Sequence, residues 1–332
     1  MYGCTPDNIP PEILSSHEPL ILKKLVSHWP LVKLTESSVK SSVDYLKQFY
    51  HGQPIGAFTA EPEINGRYFY RHGLSQLNFC KQYNQLDTLL DELLAQLSEQ
   101  LNDKKVPGIY VGSANVDQLL PGFRVENDLS ALSKFKPLMS IWLSNQSRIA
   151  AHHDVPNNIA CCIAGKRRFT LFPPEQLENL YIGPLDNTPA GQAVSLVDFH
   201  QPDWVIYPRF KTALQHAQIA ELETGDALFL PSMWWHHVES LSPYNILVNY
   251  WWQTTSSHMG APIDAMMHAL LNIKNLPIEQ KEAWFEMFKF YVFNNDSAAL
   301  SHIPKEQLGV LNPMDDKSSR QIRSMLLNKL NK

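Results

Sequence analysis

Cysteine is scarce: only four occur in 332 residues, Cys4, Cys80, Cys161 and Cys162. None shows C-x-x-C spacing, which argues against a disulfide framework or a zinc knuckle. They read as reduced thiols, and the adjacent pair Cys161-Cys162, placed on a strand, turns to opposite faces as two small buried residues. A basic excess is also missing. The net charge is −5 and no segment concentrates Lys and Arg, so neither nucleic acid nor an anionic membrane is an expected partner. No stretch approaches the roughly 18 consecutive apolar residues of a membrane span. The opening MYGCTPDNIPPEIL has neither the basic region nor the apolar run of a signal peptide, so a cytoplasmic location is expected. Repeats and low-complexity tracts are absent as well, and the 23 prolines are scattered rather than gathered in a linker. What remains is 44% hydrophobic, enough for a sizeable core.

Periodicity divides the chain into three regions. In residues 1–107, PLILKKLV (19–26) and PIGAFTAE (54–61) read as strands and ESSVKSSVDYLKQFY (36–50) as a helix. Leu86, Leu89, Leu90, Leu93, Leu94, Leu97 and Leu101 then follow the i, i+3, i+4 spacing of a helix with one buried face. These elements form an α/β flank that packs on a central barrel. From 108 to 255 the texture changes to short β-type runs broken by Pro, Gly and Asn: GIYVGS, PLMSIWLSN, NIACCIAG, RRFTLFPP, ALFLP, HHVESL and NILVNYWW. Many short strands at this spacing predict a mainly β protein with flanking α, its centre a double-stranded β-helix, or jelly roll. PEQLENL and PRFKTALQHA suit short helices in its connections. Residues 256–332 are helical again, with IDAMMHALLNIK and EQKEAWFEMFKFYVF parted by Pro277 and a last helix near 316–331.

The stretch RIAAHHDVPNN sets His152 and Asp154 two residues apart, the spacing that turns an imidazole and a carboxylate to the same side of a strand. A later stretch, GDALFLPSMWWHHVES, supplies a further histidine at the start of another strand. In a jelly roll, strands remote in sequence lie side by side, so this histidine can complete a set of two imidazoles and one carboxylate. That set leaves adjacent coordination positions open, which suits non-haem Fe(II); zinc is the weaker candidate. An H-x-D pair by itself carries little weight in a chain with 13 histidines. Strand alternation turns His153 and His237 away from their neighbours, but spacing alone does not choose between His236 and His237.

HHDVPNNIACCIAGKRRFTLFPPEQ, followed by GDALFLPSMWWHHVES, resembles the JmjC-type, cupin-like 2-oxoglutarate oxygenases, including their asparaginyl hydroxylases and a bacterial branch. The likeness runs from about Tyr110 to Trp252. It implies Fe(II) held by His152, Asp154 and His236, the family ligand being the first histidine after the WW pair. It implies 2-oxoglutarate as co-substrate, with Asn158 and Asn249 near its C1 end, Tyr110 near its C5 end and Trp251 as a tryptophan of its pocket. The family lysine that pairs with the C5 carboxylate falls on Arg167, whose always-charged fork can do the same; Lys166 is the other cation, on the opposite strand face. A supporting threonine falls on Ile149. The activity implied is hydroxylation of a protein side chain or small molecule, with release of succinate and CO2.

Two departures open another reading, a metal-binding cupin that holds or senses a ligand without turnover: Arg167 and Ile149. A third concerns substrate. The loop that holds the target peptide in the asparaginyl hydroxylases reads PAGQAVSLVDF here, with Ala193 and Val194 at contact positions, so an asparagine-bearing peptide is not implied. The aromatics Trp234 and Trp252 read as core. The tail carries Met266, Met267, Leu270, Leu271, Trp284, Phe285, Phe288, Tyr291, Val292 and Phe293, more apolar surface than one stripe needs, and predicts a homodimer through C-terminal helices.

Overall fold

The computed structural model describes all residues except 72, 103, 257, 295, 296 and 332. The chain divides into two compact units, Met1–Gln253 and Thr254–Lys332.

The first unit is built on strands β1 (Leu20–Leu22), β2 (Ile55–Ala60), β3 (Arg67–Tyr68), β4 (Cys80–Asn84), β5 (Gly108–Asn115), β6 (Leu138–Ser144), β7 (Ser147–His153), β8 (Asn157–Ala164), β9 (Arg167–Phe172), β10 (Gln218–Leu222), β11 (Ala227–Leu230), β12 (Trp235–Ser240) and β13 (Asn245–Trp252). They form an eight-stranded sheet in the order β1-β11-β8-β13-β6-β5-β2-β4 and a five-stranded sheet in the order β10-β9-β12-β7-β3. From β6 onward the chain passes repeatedly between the sheets, pairing β13 with both β6 and β8, and β12 with both β7 and β9, all antiparallel. This is the predicted jelly roll.

Its strands are apolar on both faces because both faces are covered. On β13, Leu247 enters the cluster between the sheets with Ala160, Cys162, Phe169, Leu171 and Leu228. Its neighbours Ile246, Val248, Tyr250 and Trp252 enter a second cluster on the other side of the larger sheet. Cys161 lies in that second cluster and Cys162 in the first, the opposite faces that alternation predicts. The sheet's outer cover comes from helices α1 (Pro11–Leu14), α2 (Pro30–Ser37), α3 (Val39–Phe49) and α4 (Leu86–Leu101). Leu86, Leu89, Leu90 and Leu93 of α4 are fully buried there. Two short helices, α5 (Val116–Leu119) and α6 (Phe210–Gln215), sit in connections.

The flank differs from the sequence reading in detail. The strand expected over 19–26 stops at Leu22, because Lys24 adopts φ +58° and donates its backbone N–H to Asp226 Oδ1 at 2.9 Å, while Lys23 pairs with the same carboxylate. The helix expected over 36–50 is two helices. Ser38, extended at φ −163°, ends α2 and caps α3 by accepting from Ser41 N–H at 3.0 Å. PEQLENL keeps only a 3₁₀ turn, Pro174–Gln176. Strands β3 and β4 carry no periodic signal: one has two residues, and the other is an edge strand exposed along most of its length.

The second unit holds α7 (Pro262–Asn272), α8 (Ile278–Phe288), which continues into a π turn over Lys289–Phe293, and α9 (Asp316–Leu330). Asp315 starts α9 with a reciprocal capping box to Ser318. Neither α7 nor α8 has a buried residue among the described ones. No helix among the described residues is long and apolar enough to cross a membrane.

Candidate metal centre

His152 lies near the end of β7 and Asp154 follows that strand, while His236 lies at the start of β12; the antiparallel register sets His236 directly opposite His152. Their rings are 4.3 Å apart between centroids, and His236 Nε2 is 3.7 Å from Asp154 Oδ2. One ligand atom from each of the three residues falls within 4.8 Å of the others. Each imidazole also has its other nitrogen committed: His152 Nδ1 is 2.9 Å from Ala150 O, and His236 Nδ1 is 3.0 Å from Trp234 O. A carbonyl only accepts, so both Nδ1 atoms carry hydrogen and both Nε2 atoms keep a lone pair. Burial lowers His236 to about 4, keeping it neutral, the form that binds a metal. Two imidazoles and a carboxylate suit a divalent transition ion with open positions.

The adjacent histidines point elsewhere. His153 packs edge-on against Trp235 at 4.7 Å, and His237 stacks on Phe199 at 4.4 Å with neither ring nitrogen partnered. The same alternation applies to the cations. Arg167 is 4% exposed, and its Nε and Nη2 have no partner. Lys166, with its side chain 65% exposed, reaches Glu223 at 3.1 Å. Gly165 makes this possible: at φ +77° it turns β8 into β9, and a Cβ there would lie 2.4 Å from Asn245 Oδ1 and 2.6 Å from Tyr244 O.

A buried guanidinium without an anion is costly, so Arg167 fits a carboxylate that none of the described residues supplies. Burial lowers its pKa and raises that of the Tyr110 phenol, and the two groups sense one another electrostatically. Tyr110 sits among the rings of Phe58, Tyr68 and Trp142. Asn158 and Asn249 are buried, their amides 3.4 Å apart, and Trp251 Nε1 is buried without a partner. A 2-oxoglutarate molecule, acidic at both ends, fits this set of donors; Arg167 would hold one carboxylate, and His152, Asp154 and His236 the ion.

Two neighbours escape the sequence reading. Trp142, on β6, donates its indole N–H to Asn249 Oδ1 at 2.7 Å, and Tyr68 lies 5.3 Å from Tyr110 with its buried hydroxyl unpartnered. The alternation within PLMSIWLSN could have turned Trp142 inward, but the two-residue β3 offers no period for Tyr68. Ile149 owes its place to a bulge: β12 pairs His236 with His152 but Val238 with Ile149, so β7 holds one extra residue and Ile149 packs beside Tyr68 and Tyr110. Val194 is fully buried against Phe69, Tyr70 and Ala150. Trp234 and Trp252 are core, the former with its N–H donated to His17 O at 2.9 Å.

Comparison with known proteins agrees with this architecture. The chain is 29% identical over 155 residues to lysine-specific demethylase JMJ31 of Arabidopsis thaliana, covering 46% of this chain and 26% of that protein. It is 24% identical over 281 residues to human HSPB1-associated protein 1, covering 78% and 52%. It is 25% identical over 245 residues to lysine-specific demethylase 8 of Xenopus tropicalis, covering 72% and 49%. The chain thus spans between about a quarter and about half of these relatives' lengths. The X-ray structure of E. coli ycfD aligns over 98% of this chain and 68% of its own at 12% identity, with a TM-score of 0.41, too low to bear on the fold. The model of the family described as "Cupin-like domain" matches residues 6–258, most of the chain and all of the jelly roll with its metal-ligand candidates. This chain therefore belongs to the cupin-like, JmjC-type domain family.

Proposed function

We propose that this protein is an Fe(II)- and 2-oxoglutarate-dependent oxygenase that hydroxylates a protein side chain or small molecule, releasing succinate and CO2. One observation carries the reading. Inside the same sandwich, two imidazoles with free Nε2 atoms and one carboxylate converge, and a buried guanidinium lacks an anion.

Bound iron with 2-oxoglutarate and oxygen supplies the oxidising power to attack an unactivated C–H bond. The chain's own residues do the rest. Ala150 and Trp234 carbonyls hold the two rings in one tautomer, and the β7–β12 register aligns them. Arg167 and Tyr110 hold the far carboxylate of the co-substrate, and Asn158 and Asn249 donate to the near one. The surrounding indoles and phenols exclude water, which strengthens each of these contacts.

The test is anaerobic Fe(II) binding followed by succinate release. Wild type should bind one equivalent and turn over 2-oxoglutarate, at least slowly, without a prime substrate. His236→Ala should lose the metal and His237→Ala should keep it. The reverse pattern would overturn the assignment.

A further inference from the structure

The amides of Asn158 and Asn249 can each sit in either of two orientations, and the direction they face decides whether the site presents donors or acceptors. We infer that Trp142 is a positioning residue that makes this choice, setting the amide pair to receive an anionic ligand; the inference rests on the function proposed above. An indole N–H can only donate. Trp142 Nε1 lies 2.7 Å from Asn249, so the amide oxygen must face it; a flipped amide would set donor against donor. That orientation turns the NH2 of Asn249 toward Asn158, whose Oδ1 accepts it at 3.4 Å. Both amide oxygens are then engaged within the protein, and the groups left for a ligand are N–H donors. The indole N–H of Trp251, buried and unpartnered, and the free Nε and Nη2 of Arg167 are donors too. Around the amide pair, the uncommitted N–H groups of Asn158, Asn249, Trp251 and Arg167 therefore offer donors to a ligand rich in oxygen acceptors, while the acceptors of the site, the two imidazole Nε2 atoms and Asp154, are left for the ion.

The sheet lays out this relay. On adjacent strands β6, β13 and β8, Leu247 pairs with Trp142, Ser140 with Asn249, and Trp251 with Asn158. The three side chains are diagonal neighbours, within reach of one another across the pleat.

The experiment measures 2-oxoglutarate binding calorimetrically on Mn(II)-loaded protein, with the redox-inert ion in place of iron. Trp142→Phe keeps the ring and removes the donor, and should weaken binding about tenfold. Asn249→Ala should weaken it similarly, and the double variant should bind no worse than Asn249→Ala alone, because the indole acts through that amide. Asn249→Asp leaves Trp142 intact but removes the donor facing Asn158, and should also weaken binding by about tenfold or more. Unchanged affinity in Trp142→Phe or in Asn249→Asp would overturn the inference. So would an undiminished effect of Trp142→Phe in the Asn249→Ala background, which would mark the indole as packing only. A wild-type protein that binds Mn(II) but no 2-oxoglutarate would overturn the proposed function, and this inference with it.

Discussion

At the scale of single residues, the most consequential side chain is Arg167. Its buried, unpartnered fork should make 2-oxoglutarate binding depend on it: Arg167→Ala is expected to cost about 1.5 to 3 kcal/mol, on the order of tenfold or more in affinity, as read by calorimetry. Lys166→Ala, which removes only an exposed pair with Glu223, should leave that affinity unchanged. Equal losses in both variants would contradict the assignment. A second prediction concerns protons. Burial pushes Cys162 and Tyr244 each up to about 12, from ordinary values of 9.0 and 10.0. In alkaline solution the unfolded chain gives up protons that the folded chain keeps, so the contribution of these groups is complete below pH 9 and is lost as pH rises toward 12. Urea midpoints measured across that range should fall, and a flat profile would count against it. At neutral pH, iodoacetamide should label exposed Cys80 and spare Cys161 and Cys162 until the protein unfolds.

At the scale of elements, the parts legible in sequence were those whose period matched their burial. Helix α4 was readable from its leucines because one face alone is buried, and β5, β6, β8, β9 and β11 to β13 because short apolar runs lie between turn residues. Leu90→Ala should destabilise the first unit by about 2 to 5 kcal/mol, from lost burial and the cavity left behind. Ser38→Ala, which uncaps α3, should cost about 1 kcal/mol. Chemical denaturation with an unchanged m-value would measure both, and equal costs would contradict the contrast between a core residue and an exposed cap. The division of 36–50 at Ser38 was hidden because the residue both ends one helix and begins the next. The early end of β1 was hidden because its cause, Asp226, lies 202 residues beyond Lys24 in the chain.

At the scale of the whole molecule, α7, α8 and the π turn that continues α8 present Met266, Met267, Leu271, Trp284, Phe285 and Tyr291 to solvent. Helices with no buried face gain little stability alone, so we propose that a second copy of this chain covers them, as a homodimer. Light scattering at micromolar concentration should give twice the 37.9 kDa chain mass, and Phe285→Glu with Tyr291→Glu should give the monomer. A monomeric wild type would refute it. The sequence by itself determined the jelly roll, since short apolar runs and turn punctuation are local properties. It also determined the candidate pair His152 and Asp154, because a two-residue spacing on a strand needs no distant partner. Spacing left open which later histidine meets that pair; the family resemblance pointed to His236, and the tertiary structure supplied the physical reason, since the pairing of β12 with β7 places His236 and leaves His237 on Phe199. The tertiary structure alone brought Trp142 to Asn249 and left Arg167 without an anion, because diagonal contacts and the lack of a partner depend on which strands become neighbours.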